Sequence, residues 1–303
     1  MKRHSLREHV GRAEVVLINP MHDRVAGAPN PAVPLGLEYM KQRLRENGFS
    51  AEVINLDCEP PGGARGRPAA AQRGATFRPL DAATLEARKR RVTDRRERWW
   101  LDFEAALRAP APKLVGVSMV TPQFHAAATA ARVARETIPG VRVVAGGIHP
   151  TVMPEDVLST GLFDAVAVGE GENTILGLAR LFVRGEGGLE DIDGICFLRD
   201  GAPARTRPVA LIEDLDSLGF PERDCIVPPG ARLATAGYSA SLISGRGCPF
   251  QCTFCARHAL WMGRSIRFRS VGNVIAELEF LKKNYETCHF SLLDDTLRGC
   301  DVI

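Results

Sequence analysis

Three cysteines fall within eight residues of this chain, Cys248, Cys252 and Cys255, with the spacing C-x3-C-x2-C. Three thiolates on one tight loop can hold three corners of a cubane iron–sulfur cluster. The fourth iron then lacks a protein ligand and can bind a substrate or cofactor, the open-position logic of catalytic zinc. Zinc itself is the competing reading, with His258 three residues after Cys255 as a fourth ligand. An apolar strand before the cysteines and a long amphipathic helix after them favour iron. The other five, Cys58, Cys196, Cys225, Cys288 and Cys300, show no paired spacing and read as ordinary thiols.

The strand that must carry this loop is Ser239–Ser244, which runs straight into Gly245-Arg-Gly-Cys248. Ser270 then caps a helix bearing Val274, Ile275, Leu278 and Leu281 at helical spacing. One more strand, His289–Leu293, ends in Asp294-Asp295-Thr296. Barrel enzymes place their chemistry on loops at the carboxyl ends of such strands.

Ahead of this segment, short apolar runs alternate with amphipathic stretches, the pattern of a parallel sheet covered on both faces. Expected strands are 14–18, 51–56, 114–120, 141–145 and 163–168. Expected helices are 34–47, 126–137 and 173–184. A flavodoxin-like (Rossmann-type) α/β sheet follows from that order. Asp200-Gly201 between 194–198 and 204–210 predicts a β-hairpin, and 214–224 reads as a polar linker.

Composition excludes several classes. At 303 residues, with 45% apolar and 25% charged, the chain reads as globular and not fibrous or disordered. It has no run of about 18 apolar residues and no apolar signal region after its basic start, so membrane and secreted readings fall away. A cytoplasmic protein is expected. The net charge of +3 is concentrated: residues 58–98 hold eleven basic and five acidic residues. Within this insert 59–80 reads as a loop and 81–108 as one charged helix, with Asp81 as N-cap. Its arginines with Trp99-Trp100 could form a nucleic-acid patch. A solvated face with two packing tryptophans is the favoured reading.

With its setting, Ser244-Gly-Arg-Gly-Cys248-Pro-Phe before and Arg267-Phe-Arg-Ser270 after, the cysteine spacing resembles the radical SAM signature. That resemblance implies a [4Fe–4S] cluster on the three cysteines, with S-adenosylmethionine chelating the open iron and yielding a 5′-deoxyadenosyl radical. It also implies Phe254 near the adenine, and Asp294 and Asp295 near the methionyl group. The family's Gly-Gly-Glu motif is absent at that strand. The first half is similar to the cobalamin-binding domain of the B12-dependent branch, on Pro34-Leu-Gly-Leu-Glu-Tyr39, Ser118-Met-Val-Thr121, Gly146-Gly-Ile-His-Pro-Thr151 and Val168-Gly-Glu-Gly-Glu172. It implies cobalamin contacts at Ser118, Thr121, Gly146, Gly147, His149, Gly169, Glu170 and Gly171. Asn19-Pro-Met-His22 departs from the Asp-x-His-x-x-Gly of domains that ligate cobalt. The branch commonly lacks that histidine.

The layout this implies is a B12-binding domain over 12–185 with the basic insert, a connector with a hairpin over 186–237, and the beginning of a (β/α) partial barrel over 238–303. The implied activity is radical-based methyl transfer to an unactivated carbon of a small-molecule substrate, with an electron donor such as a flavodoxin or ferredoxin. Cyclisation or rearrangement is the alternative chemistry. The 63 residues from Ser241 make about two βα units at about 30 each, against about 250 for a full barrel. A truncated product or fragment is therefore expected, and a cobalamin-binding module without turnover is the third reading.

Overall fold

In a computed structural model the chain is described for residues 12–22, 33–58, 82–226, 239–250, 252–255, 266–285, 287 and 289–296. The 59–80 loop, the Asp81 cap, His258, Cys288 and Cys300 lie outside them.

Apolar β-rich runs form the centre. Strands β1 (Val15–Asn19), β2 (Ala51–Asn55), β3 (Leu114–Ser118), β4 (Arg142–Gly146) and β5 (Ala165–Ala167) pair in parallel in the order β2-β1-β3-β4-β5. Their runs are apolar on both faces because helices cover both; Val15, Val16, Ile18, Leu114 and Val115 are fully buried. This is the flavodoxin-like order expected. Strands β6 (Ile195–Arg199) and β7 (Ala202–Arg205) then add antiparallel at the β5 edge, extending the sheet to seven strands. The hairpin turns at Asp200-Gly201, both at positive φ. Its second strand lies at 202–205, earlier than the 204–210 expected, because a two-residue turn fixes the register from the turn outward.

The covering helices are α1 (Leu35–Glu46), α2 (Ala82–Thr93), α3 (Arg98–Arg108), α4 (Phe124–Thr137), the short α5 (Ile148–Val152) and α6 (Pro154–Ser159), and α7 (Gly171–Ala179). Helix α4 buries Ala126, Ala127, Ala130, Ala131 and Ala134, small side chains that let it lie close to the sheet. The expected single helix over 81–108 is two. Asp94 interrupts it by accepting the Arg96 N–H on its own side chain, the local bonding that competes with a helix. Trp99 and Trp100 are both buried, their indole N–H groups donating to the Leu56 and Arg91 carbonyls. The helix expected to run to 184 ends as α7 at Ala179 and continues as one wider turn to Arg184, closed by Gly185 at φ +74°.

Residues 239–292 carry one β-α-β unit. Strand β8 (Ser239–Leu242) pairs in parallel with β11 (His289–Leu292) across helix α8 (Val271–Tyr285). The Ser270 hydroxyl accepts the Asn273 N–H, as expected of a cap. Between them, β9 (Gly245–Arg246) and β10 (Arg267–Phe268) form a two-pair antiparallel ribbon that brackets residues 247–266. The connector is laced to this unit: Arg223 donates to Glu277 and to the Ser241 carbonyl, and Asp216 accepts the Ser270 N–H. No helix among the described residues is long and apolar enough to cross a membrane.

Candidate functional site

A cavity of about 320 Å³ opens at the carboxyl ends of β1, β3, β4 and β5, where open α/β sheets bind ligands. Its wall is built from chain that comes close because side chains are missing. A Cβ on Gly147, at φ +100°, would meet the Met119 carbonyl oxygen at 2.7 Å, and one on Gly116 would meet Leu17 Cδ2 at 2.8 Å. Ser118, Gly146, Gly147, Gly169 and Gly171, all read from the sequence, line this cavity. Asn19, Met40 and Gly116 line it too and were missed, as does Gly36 of the Pro34–Tyr39 motif. Gly116 carried a signal, since a glycine inside a strand marks close approach of another group. Asn19 is held by the Asn55 side chain, to which it donates at 2.8 Å, and by Gln123, which donates to it at 3.2 Å.

Thr121 and His149 are brought together at 3.1 Å, hydroxyl to Nδ1, but outside the lining. The His149 ring stands edge-on to Phe124. Partial burial lowers its pKa, against a smaller opposing effect of Asp156, which favours the neutral ring. The Glu170 carboxylate also lies outside the lining. Arg267 donates to it at 2.6 and 3.1 Å, the Ile212 N–H donates at 3.0 Å, and Arg246 lies at 3.3 Å. Burial alone would raise this carboxyl, but the Arg267 bonds, the Ile212 N–H and the Arg246 charge outweigh it and lower the pKa.

A second cavity, about 330 Å³, shares Leu35, Gly36, Met40 and Gly171 with the first. Its far side is formed by Gly245, Arg246, Leu293 and Asp295, where β8 and β11 end. The two cavities are therefore neighbours across a thin wall. Asp294 accepts the Ser244 and Gly245 N–H groups at 2.7 and 3.0 Å and the Ser244 hydroxyl at 2.5 Å. It thus ties the end of β11 to the entry of the cysteine loop.

Cys248, Cys252 and Cys255 follow on that loop, Cys252 exposed and the others half-buried. The Cys255 N–H bonds the Cys252 carbonyl in a tight turn, and the Thr296 hydroxyl donates to Cys248 Sγ at 3.2 Å. Phe254 is 91% exposed. Among the described residues no three His, Cys, Asp or Glu side chains converge closely enough to hold an ion. The donor type suits iron and sulfur, and the three thiols sit on one loop without closing on a centre. Cys58, Cys196 and Cys225 are buried, and burial pushes each thiol up, as for inert core cysteines.

Residues 81–179 match the family model of the B12 binding domain. The chain is 33% identical over 186 residues to an uncharacterized methyltransferase of Pyrococcus horikoshii, covering 61% of this chain and 40% of that one. It is 31% identical over 194 residues to the anaerobic magnesium-protoporphyrin IX monomethyl ester cyclase of Rubrivivax gelatinosus, covering 61% and 34%. The fold is that of the radical S-adenosylmethionine methyltransferase TsrM from Kitasatospora setae, solved with cobalamin and a [4Fe–4S] cluster: TM-score 0.65 at 18% identity, over 94% of this chain and 48% of that one. The matches span about a third to two fifths of the length of these two curated relatives.

Proposed function

We propose that this chain contributes the cobalamin site and the cluster loop of a cobalamin-dependent radical SAM enzyme that transfers a methyl group to an unactivated carbon. The observation that carries the reading is the glycine-walled cavity at the strand ends, adjoining a second cavity that reaches the cysteine loop. When bound, the cluster with S-adenosylmethionine supplies a carbon-centred radical and cobalamin supplies the methyl group. Cys248, Cys252 and Cys255 would hold the cluster. Ser118, Gly146, Gly147, Gly169 and Gly171 would let a flat corrin or its nucleotide tail lie against backbone. Asn19, oriented by Asn55 and Gln123, presents a fixed amide to the same space. Asp295 and Gly245 border the cavity where S-adenosylmethionine and a small-molecule substrate would meet. Asp294 orients the loop backbone; Phe254, exposed on that loop, would cover the adenine.

An electron donor of the flavodoxin or ferredoxin kind would reach the exposed loop, and the reducing cytoplasm would keep its thiols available. Radical ring closure is the second reading, favoured by the resemblance to the cyclase.

Anaerobic reconstitution of the chain with iron, sulfide and hydroxocobalamin tests the proposal. Wild type should retain corrinoid and gain a brown absorbance near about 400 nm. Gly146→Leu has room in the fold, since a Cβ there meets only Ala167 Cβ at 3.7 Å. It should cut hydroxocobalamin affinity at least about tenfold by filling the cavity, while Cys252→Ala should abolish the absorbance and spare corrinoid binding. Bound zinc in place of iron, or unchanged affinity in Gly146→Leu, would overturn the corresponding half.

A further inference from the structure

Arg246 and Arg267 stand directly opposite each other on the β9–β10 ribbon. Like charges in that relation repel and destabilise a pair of strands, and this ribbon has two residue pairs to resist it. Carboxylates from the start of α7, just after β5, meet both. Arg267 is gripped by Glu170, and Arg246 donates to Glu172 at 2.5 Å. Arg267, Glu170 and Glu172 are buried and Arg246 nearly so, so salt screens these pairs weakly. The Tyr39 ring lies 5.6 Å from the Arg246 guanidinium and backs it.

Gly169 and Gly171 line the first cavity, while Glu170, at the start of α7, and Glu172, in its first turn, hold the ribbon and border the second cavity. Met40 joins the two, lining both cavities and packing so tightly on Gly171 that a Cβ there would meet its sulfur at 2.7 Å. The ribbon in turn closes the base of residues 247–266, with Cys248 two residues beyond Arg246.

We propose that Glu170 and Glu172 are positioning residues that fasten the base of the cysteine loop to the wall of the cobalamin pocket, so that filling the pocket steadies the loop. The inference rests on the cobalamin reading of the first cavity. Coupling of this kind is reciprocal: a pocket ligand that orders the ribbon binds better when the ribbon is formed.

Amide hydrogen exchange on the whole 303-residue chain, free of cluster, with and without hydroxocobalamin, tests it. In wild type, bound hydroxocobalamin should slow exchange of Gly245–Cys248 and Arg267–Arg269 about tenfold. Glu172→Gln keeps the side chain's shape and removes its charge. Exchange at the same amides should then rise about tenfold without ligand, and ligand protection should fall below about twofold, with β1 and β3 unchanged. The double variant Glu172→Gln with Arg246→Gln leaves no buried charge unpaired, guards against misfolding of the single variant, and should lose the protection equally. Glu172→Asp should restore part of it, which a loss of fold alone would not do. The coupling is overturned if wild type binds hydroxocobalamin with no change at the ribbon, or if Glu172→Gln keeps full protection. If wild type binds no hydroxocobalamin at all, the pocket reading fails and takes the coupling with it.

Discussion

Lys41 and Glu38 are one turn apart on α1, both fully buried, with Glu38 Oε2 2.5 Å from the ammonium and Asp224 of the connector on its other side. One ammonium faces two acids, and they do not share it equally. Burial dominates at Glu38 and, opposed by Lys41, raises its carboxyl from 4.5 to about 7, leaving Asp224 as the standing counter-charge. A carboxyl whose pKa is raised by folding holds a proton that the unfolded chain has released. Stability is then full below about pH 4.5 and declines as pH rises toward 7. The decline should amount to a few kcal/mol, since each tenfold change in proton affinity is worth about 1.4 kcal/mol. Glu38→Gln removes the titration, so its urea midpoint should be nearly flat from about pH 5 to about 7.5 while that of wild type falls. Parallel curves for the two proteins would contradict this. Residue patterning alone gave no hint of the triad, because Asp224 lies 183 positions from Lys41.

Among the elements, the two helices of the basic insert matter for what they bury. Trp100 is 1% exposed and stands edge-on to Phe103 at 6.0 Å, beneath a surface of arginines. Trp100→Ala should therefore cost about 3–5 kcal/mol in denaturant unfolding; a loss under about 1 kcal/mol would mean the insert is packed only loosely. Strands β1 to β5 were readable to within two residues because continuous apolar runs have one use in a parallel sheet. The helix break at 94–97 was not, since charged residues continue at helical spacing straight through it. The glycine-rich loops were readable as cavity-lining, because a glycine requirement is local to the backbone. The partner of Glu170 was not readable for the opposite reason: Arg267 is 97 residues away, and no local pattern reports it.

At the scale of the molecule, buried ion pairs join the sheet and the connector to the β8-α8-β11 unit. Glu277, fully buried on α8, receives Arg223 from the connector and Arg269 from just beyond β10. The connector also returns to the sheet, Ile226 exchanging backbone bonds with Val53 and Asn55 beside β2. Heat should unfold this assembly in one transition. Glu277→Ala strands two buried guanidinium groups at a cost of about 3–5 kcal/mol. It should split the calorimetric trace, with residues 239–296 melting first. A single peak at the wild-type temperature would show that the arginines find other partners.

The grip of Glu170 and Glu172 on two arginines far along the chain also has a consequence in time. Arg246 is 74 residues after Glu172, an interval of roughly 4–15 s during synthesis at about 5–20 residues per second. Over those seconds the first five strands and their helices have already left the ribosome, and both glutamates wait in water. The thiols of Cys248, Cys252 and Cys255 emerge after them, onto a surface already charged to receive the strand that brings them. Their loop is therefore assembled on a finished template, after the pocket it adjoins has taken shape.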